Sequence, residues 1–205
     1  FFSCARYKTG VVKCWGSNFG GQLGNQPTLT DGYAGPDELL PVTVTDIGSA
    51  ISVHLGSGTC VLLQDSSVRC WGYYWTELAA ELLEPVYVRW PSRVDGLGSV
   101  DIVAVSSGVY DARCAIDLNH KVVCWGVDSS PIVTPGIEQV AMWEEDVQPT
   151  EIPLPSTAVL LSVGGDHACA YLASSELWCW GSNWHGQLGF AGVQELVQFE
   201  PLKVQ

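Results

Sequence analysis

The residues best suited to chemistry in this sequence are its eight cysteines, which form four pairs with members ten positions apart. Such cysteines could bind zinc, stay as free thiols or oxidise to disulfides. Zinc sites favour two to four residues between neighbouring cysteines, whereas nine intervene here. Buried free thiols pack as small hydrophobes and need no fixed spacing. Four equal spacings with no cysteine left over therefore favour disulfides.

Each cysteine pair brackets a pattern that is typical of a β-hairpin. Between Cys60 and Cys70, two short apolar segments flank the polar residues 64–67, and small or polar residues occupy the other three centres. If each hairpin turns about its midpoint, its cysteines face each other on antiparallel strands, with Cα atoms about 4.5–5.5 Å apart. The spacing thus predicts an oxidising, extracellular compartment and four bonds: Cys4–Cys14, Cys60–Cys70, Cys114–Cys124 and Cys169–Cys179.

Other catalytic or metal-binding groups form no recognisable constellation. The four histidines are scattered, and no Ser-His-Asp order or paired acid accompanies them. The acidic run Glu144-Glu145-Asp146 lacks the alternating oxygen spacing of a calcium loop and favours a solvated turn. We expect no enzymatic activity, no cofactor and no metal site.

The charge balance excludes two classes of partner. The chain has 205 residues with 22 acidic and 9 basic side chains, for a net charge of −13. Binding to nucleic acid or to anionic membranes needs a basic surface. No apolar run reaches the roughly 18 residues that span a bilayer. We therefore expect neither nucleic-acid binding nor membrane insertion.

The cysteine pairs recur after 56, 54 and 55 residues, a period typical of repeat architectures. A further apolar segment that ends near a glycine precedes three of the hairpins, at 51–56, 103–108 and 160–164. Segments 41–44 and 201–204 predict an outermost strand opened by proline, which suits edge strands. About four short antiparallel strands per repeat predict an all-β protein, a β-propeller with four blades. A single short helix is expected over residues 76–83.

A Trp-Gly pair follows the second cysteine of every repeat, and two of the repeats extend it into one motif. Residues 14–24 read CWGSNFGGQLG and residues 179–189 read CWGSNWHGQLG, and His167-Ala-Cys-Ala170 precedes the latter hairpin. This pattern resembles the regulator of chromosome condensation repeat. It is weaker in the second and third repeats, where 73–75 and 127–129 replace the expected tail.

The resemblance implies a β-propeller that usually has seven blades. We therefore expect residues 1–205 to form a single segment of a larger ring, with blade hairpins at 4–14, 60–70, 114–124 and 169–179. The repeated motif is interpreted as scaffold. Its tryptophans fill space between blades, and Asn18 and Asn183 hydrogen-bond the turn that follows.

Function is expected in the variable inserts at 25–40, 73–90 and 127–155. Exposed aromatic residues anchor protein interfaces, and the alternative is that they cover neighbouring blades. The family hosts nucleotide exchange, chromatin binding, photoreception and protein inhibition. The predicted disulfides disfavour exchange in the nucleus, the charge disfavours chromatin, and the Gly-Trp-Arg-His-Thr motif of the plant ultraviolet receptor is absent. The candidate protein-binding residues are Tyr73, Tyr74, Trp75, Trp90 and Trp143.

Two functions of different classes fit these observations. We expect a secreted, non-enzymatic module of a surface protein or appendage, which binds other proteins or builds an extracellular assembly. The alternative is a secreted inhibitor that blocks a hydrolase with one propeller face, and guanine-nucleotide exchange is the least favoured.

Overall fold

The computed structural model describes residues 1–25, 36–56, 58–74, 86–94, 96–105, 112–126, 132, 147–190 and 196–204. These residues contain strands and turns but no helix, which confirms the all-β prediction, and the helix expected over 76–83 lies outside them. The strands are β1 Phe2–Arg6, β2 Val12–Gly16, β3 Glu38–Thr43, β4 Ala50–Leu55, β5 Gly58–Leu63, β6 Val68–Tyr74, β7 Val86–Arg93, β8 Val100–Val105, β9 Arg113–Asp117, β10 Val122–Gly126, β11 Val147–Glu151, β12 Ala158–Val163, β13 His167–Leu172, β14 Leu177–Ser182 and β15 Val197–Lys203.

The strands form four separate antiparallel sheets, one for each sequence repeat. The first sheet has the order β1-β2-β3, and the others run β4-β5-β6-β7, β8-β9-β10-β11 and β12-β13-β14-β15. Each sheet is an up-and-down blade in which consecutive strands are neighbours. The predicted β-propeller architecture with four blades is therefore confirmed. We call these sheets blades 1 to 4.

The tip of each cysteine hairpin is a tight turn that contains one residue in the left-handed region. The four residues are Gly10, Ser66, His120 and Ser175, with φ between 60° and 83°. In every turn the amide of this residue donates to the carbonyl three positions earlier, as His120 N does to Asp117 O at 2.9 Å. A β-branched residue would be strained in this conformation, so the small and polar centres of the sequence pattern supply what the turn requires.

The outermost strand of each blade contains a proline beside a β-bulge. The pattern predicts that Pro41 and Pro201 open their strands, and this is wrong, because β3 and β15 begin at Glu38 and Val197. The proline lies instead just before the residue that pairs with the second cysteine of the hairpin. A bulge removes backbone groups from the ladder, so a residue without an N–H is tolerated there on an edge strand. The four prolines are Pro41, Pro91, Pro149 and Pro201.

Three hydrophobic clusters fill the spaces between neighbouring blades. Trp71 and Leu23 belong to the cluster between blades 1 and 2, and Trp125 belongs to the one between blades 2 and 3. Trp180 and Ile132 belong to the cluster between blades 3 and 4. The core is therefore a series of layers between sheets, and each blade depends on its neighbour to bury one face.

Candidate functional site

Disulfides fix the middle of every blade hairpin. The bonds join Cys4 to Cys14, Cys60 to Cys70, Cys114 to Cys124 and Cys169 to Cys179. In each pair the two cysteines lie directly opposite each other in the strand register. Their Cα atoms are 4.0–4.1 Å apart, somewhat closer than the sequence-based expectation. All eight cysteines of the chain are paired in this way.

The loop after the Trp-Gly pair is locked by the same hydrogen bonds in blades 1 and 4. The amide of Leu23 donates to Asn18 Oδ1 at 3.2 Å, and the amide of Leu188 donates to Asn183 Oδ1 at the same distance. Both asparagines and both leucines are buried. The predicted role of the two asparagines in the turn is what the structure shows.

A glutamine side chain closes the tip of each of these loops. Gln22 Oε1 accepts from Gly20 N, and Gln187 Oε1 accepts from His185 N, both at 2.9 Å. We call the segments 17–25 and 182–190 the motif loops. Because each is held by its own side chains, its backbone is rigid without any partner.

The tryptophan of the Trp-Gly pair joins its blade to the preceding one. Trp71 Nε1 in blade 2 donates to Gln22 O in blade 1 at 2.9 Å. Trp180 Nε1 in blade 4 donates to Ile132 O, which lies between β10 and β11 of blade 3, at 3.0 Å. Both indoles are fully buried. These two tryptophans are buried within the scaffold, so they cannot contact a partner.

The residue after the motif asparagine is exposed to solvent, in contrast to the buried tryptophans. Phe19 and Trp184 are 52% and 62% exposed, although each follows a buried asparagine. They are equivalent positions of the two motifs, and Trp75 occupies the same position of the second repeat, outside the described residues. An interpretation of the whole motif as scaffold misses these tips. The recurrence of an aromatic residue at one position in three repeats is the signal that could have revealed them.

The two exposed aromatic tips lie on the same side of the propeller. Each motif loop follows the second strand of the cysteine hairpin, whereas the hairpin turn precedes that strand, so loop and turn are at opposite ends of the strand. The turns share one side because the carbonyls of Gly10, Ser66 and His120 each accept from the first strand of the next blade, at 2.8–2.9 Å. We call the two sides the motif face and the turn face.

The predicted binding residues fall partly within the structure. Tyr73 and Tyr74 end β6, on the strand that leads to the motif face, and they pair with Tyr87 and Val86 of β7. Trp90 lies within β7. Trp75 and Trp143 lie outside the described residues. The binding role of all five residues stays a prediction.

Carboxylates contact both motif loops. Asp37 Oδ1 accepts from the amide of Asn18 at 3.0 Å, next in the chain to Phe19. On blade 4, Asp166 Oδ1 lies 3.4 Å from Gln187 Nε2 and 3.5 Å from His167 Nδ1. The motif face therefore combines exposed aromatic rings with negative charge.

Titratable side chains are scattered over the part of the chain that the structure describes. Among these residues, no three His, Cys, Asp or Glu side chains come together as metal ligands. The half-buried His54 contacts Ser52 Oγ at 2.8 Å, and burial lowers the pKa of its imidazole below 6.5.

A cavity of about 250 Å³ on the turn face is lined by His120 and by the exposed pair Lys121–Glu151, which bond each other at 2.8 Å. No described helix is long and apolar enough to cross a membrane.

A comparison with protein families identifies the repeat. Residues 158–187, which run from β12 to the motif loop of blade 4, match the model of the regulator of chromosome condensation (RCC1) repeat. This segment is an RCC1 repeat. The matched segment contains the disulfide-linked hairpin, the buried Trp180 and Asn183, whose side chain locks the motif loop. The sequence-based resemblance is thereby confirmed. None of the curated protein sequences matches the chain.

Solved RCC1-type propellers share the fold across the whole chain. Human WBSCR16 is 22% identical with a TM-score of 0.77, and the match covers 100% of this chain and 50% of that one. Yeast RCC1 (Prp20), crystallised bound to Kap60, is 18% identical with a TM-score of 0.76 and is 47% covered. Saccharomyces cerevisiae Prp20p, studied for binding to Gsp1p and histones, is 16% identical with a TM-score of 0.76 and is 48% covered. The chain thus spans about half the length of these structures, and at these identities the likeness shows the fold alone.

Proposed function

We propose that this chain is a non-enzymatic, extracellular module that binds other proteins through its motif face. The observation that carries the proposal is the exposure of Phe19 and Trp184 at equivalent tips of two locked loops. Large exposed aromatic side chains on the same face are the residue type that dominates binding energy at protein interfaces.

The rigidity of the motif loops supports the same proposal. The Asn and Gln side chains fix both loop backbones before any partner arrives. Binding to such a surface orders little additional chain, so less of the interaction energy is lost to conformational entropy. The aromatic tips are therefore preorganised anchors, and the loops that carry them need no rearrangement.

The charge of the chain indicates the kind of partner. Asp37 and Asp166 each accept a hydrogen bond from a motif loop, and the whole chain carries a net charge of −13. A partner surface that is basic and apolar complements this face, and its association rate should fall as salt screens the charges. Protein binding is also the property named for the yeast RCC1 structures, whose partners include Kap60, Gsp1p and histones.

The extracellular part of the proposal rests on the disulfides. Four bonds in four blades are typical of proteins that fold in an oxidising compartment. Each bond lies within one hairpin, so each stabilises a single blade and places no constraint on how the blades bind a partner.

Binding is tested by comparing the chain with a double variant, Phe19→Ser and Trp184→Ser. Both chains are immobilised and exposed to extracellular proteins of the source organism, and each retained protein is purified and titrated against them. We expect a basic protein whose Kd rises at least about tenfold for the double variant. If that protein is a hydrolase and loses its activity on binding, the result supports the alternative that the chain is an inhibitor.

Tyr7→Ser is the matched control. Tyr7 is an exposed aromatic residue, 48% accessible, on the hairpin turn of blade 1 and thus on the turn face. Its replacement should leave the affinity unchanged. Equal loss of affinity in the control and the double variant, or unchanged affinity in both, would place the interface elsewhere and refute the proposal.

A further inference from the structure

The cavity of about 250 Å³ on the turn face lies where blade 3 leads into blade 4. One wall is the hairpin turn at 119–121, and the other belongs to the link at 152–157, between β11 and β12. The buried side chains of Val122 and Ile152 give the cavity an apolar lining. Pockets that hold drug-sized ligands measure about 300–1,000 Å³, so this cavity has room for a single small ring.

Both walls are held in place by hydrogen bonds of the chain itself. Asp117 Oδ1 accepts from the amides of Asn119 and Lys121, both at 2.8 Å, and these bonds lock the hairpin turn. The amide of Ala158 donates to His120 O at 2.8 Å, which fastens the end of the link to the same turn. The cavity is therefore formed without a ligand, and binding orders little additional chain.

The two charged side chains of the cavity neutralise each other. Lys121 Nζ donates to both carboxylate oxygens of Glu151, at 2.9 and 2.8 Å. The hydrogen bond with Glu151 raises the pKa of the Lys121 ammonium, so the lysine stays protonated at neutral pH. A charged ligand would have to break this pair or lie against a like charge. The cavity therefore favours a neutral ligand.

Hydrogen-bonding groups of both kinds line the cavity. Lys121 is a donor and Glu151 an acceptor, while the hydroxyls of Ser156 and Thr157 and the imidazole of His120 can serve as either. Each hydroxyl of a sugar is also both a donor and an acceptor, and the C–H groups of its ring match the apolar lining. A neutral ring with several hydroxyls thus satisfies the groups that surround this space.

We propose that this cavity binds one neutral sugar unit, a hexose. At the binding efficiency of drug-sized ligands, a hexose of about twelve non-hydrogen atoms has a Kd of about 2 mM. The site lies on the turn face, opposite Phe19 and Trp184, so it does not rest on the proposed function. A double variant of these two aromatic residues should bind the hexose as the original chain does.

Binding is measured by NMR titration of the isotope-labelled chain with D-glucose, D-galactose and D-mannose. We expect at least one hexose to shift the amide signals of residues 119–121 and 156–157 in a saturable way. The methyl glycosides of the same hexoses separate two sources of the sugar, because they reproduce the linkage at the end of a glycan. A glycoside that binds like the free hexose indicates a glycan end, and one that does not bind indicates a free sugar.

A variant without the ion pair, Lys121→Ala with Glu151→Ala, keeps the net charge of the chain and should bind the hexose at least about tenfold more weakly. The matched control is Glu176→Ala with Lys203→Ala. It removes the ion pair that joins the hairpin of blade 4 to its outermost strand, at 2.7 Å, and also keeps the net charge. The control should bind like the original chain. The absence of saturable shifts with all three hexoses, shifts confined to other parts of the chain or an equal loss in both variants would overturn the proposal.

Discussion

Trp71 Nε1 donates to the main-chain oxygen of Gln22, 2.9 Å away and 49 positions earlier in the chain. The bond joins the Trp-Gly pair of one repeat to the Gly-Gln-Leu-Gly segment of the repeat before it. The motif of blade 4 buries Trp180 against the preceding blade, and the motif of blade 1 offers the main-chain oxygen of Gln22 to the following blade. Both are scaffold contacts, which accounts for nearly the same eleven residues in the two blades.

Replacing the donor should cost more stability than replacing an exposed tryptophan. Trp71→Phe keeps an aromatic ring in the buried site but removes the N–H that Gln22 O accepts. We expect the free energy of unfolding to fall by about 1–3 kcal/mol, from the lost hydrogen bond and imperfect packing. Trp184→Phe, at the exposed tip, should stay within about 0.5 kcal/mol. Denaturant unfolding measures both, and equal losses would contradict the scaffold role of Trp71.

The motif loop should depend on its asparagine. Asn183→Ala removes the acceptor of the buried amide of Leu188, and an unsatisfied buried amide costs about 1–3 kcal/mol. Asn119→Ala is the control, because Asn119 is exposed and bonds its turn neighbour Asp117. Thermal unfolding of the two variants compares them. An Asn119 variant that melts as early as the Asn183 variant would show that the loop lock contributes nothing specific.

The disulfides should stabilise the blades one by one. Changing both Cys114 and Cys124 to Ala is expected to lower the free energy of unfolding by about 2–4 kcal/mol, since the bond restricts the unfolded chain. The difference from the original chain should shrink when both are fully reduced. Intact-mass measurement with and without reductant checks the pairing. A mass that does not rise by eight thiol hydrogens on reduction, because thiols are already free, would contradict it.

Stability should fall in mild acid because of His54. Burial lowers the pKa of its imidazole in the folded state below the ordinary 6.5. Well above pH 6.5 the imidazole is neutral in both the folded and the unfolded chain, so its protonation takes nothing from the free energy of unfolding. As the pH falls below that value the unfolded chain binds the proton first, so stability is lost until the folded pKa is reached.

His54→Gln tests this dependence against His185→Gln, which changes an exposed histidine of the motif loop. The free energy of unfolding is measured from about pH 8 to about pH 5. The loss on acidification should be smaller for the His54 variant than for the original chain and unchanged for the His185 variant. The same slope in all three proteins would show that other groups cause it.

The fold could be predicted from the sequence because local residue patterns within each repeat indicate its strands and turns. Cysteines ten apart fix the hairpin register, and polar residues mark turns that require a left-handed residue such as His120. The strand position of Pro41 could not be predicted, because a bulge depends on the pairing of two strands and leaves no local pattern. Aromatic content indicated a binding role for the inserts, and that role stays a prediction.

The exposed tips were not predicted for a related reason. Whether Phe19 and Trp184 lie in the core or in solvent depends on how the motif loop folds back. Asn18 and Asn183 determine the conformation of the loop, because each side chain accepts a hydrogen bond from the amide five residues later. Trp15, Trp71 and Trp180 each stand between a cysteine and a glycine, yet Trp15 is partly exposed and the other two are buried. Burial here is set by the neighbouring blade, which a single repeat does not encode.

Site-specific photo-crosslinking tests the central claim, that the motif face is the binding surface, most directly. A photoreactive phenylalanine analogue replaces Trp184 in one protein and Tyr7 in another, both exposed but on opposite faces. The two proteins are irradiated in extracellular fluid from the source organism. We predict a defined adduct with a basic protein from position 184 and none from position 7. Adducts from position 7 alone, or the same adducts from both positions, would contradict the account.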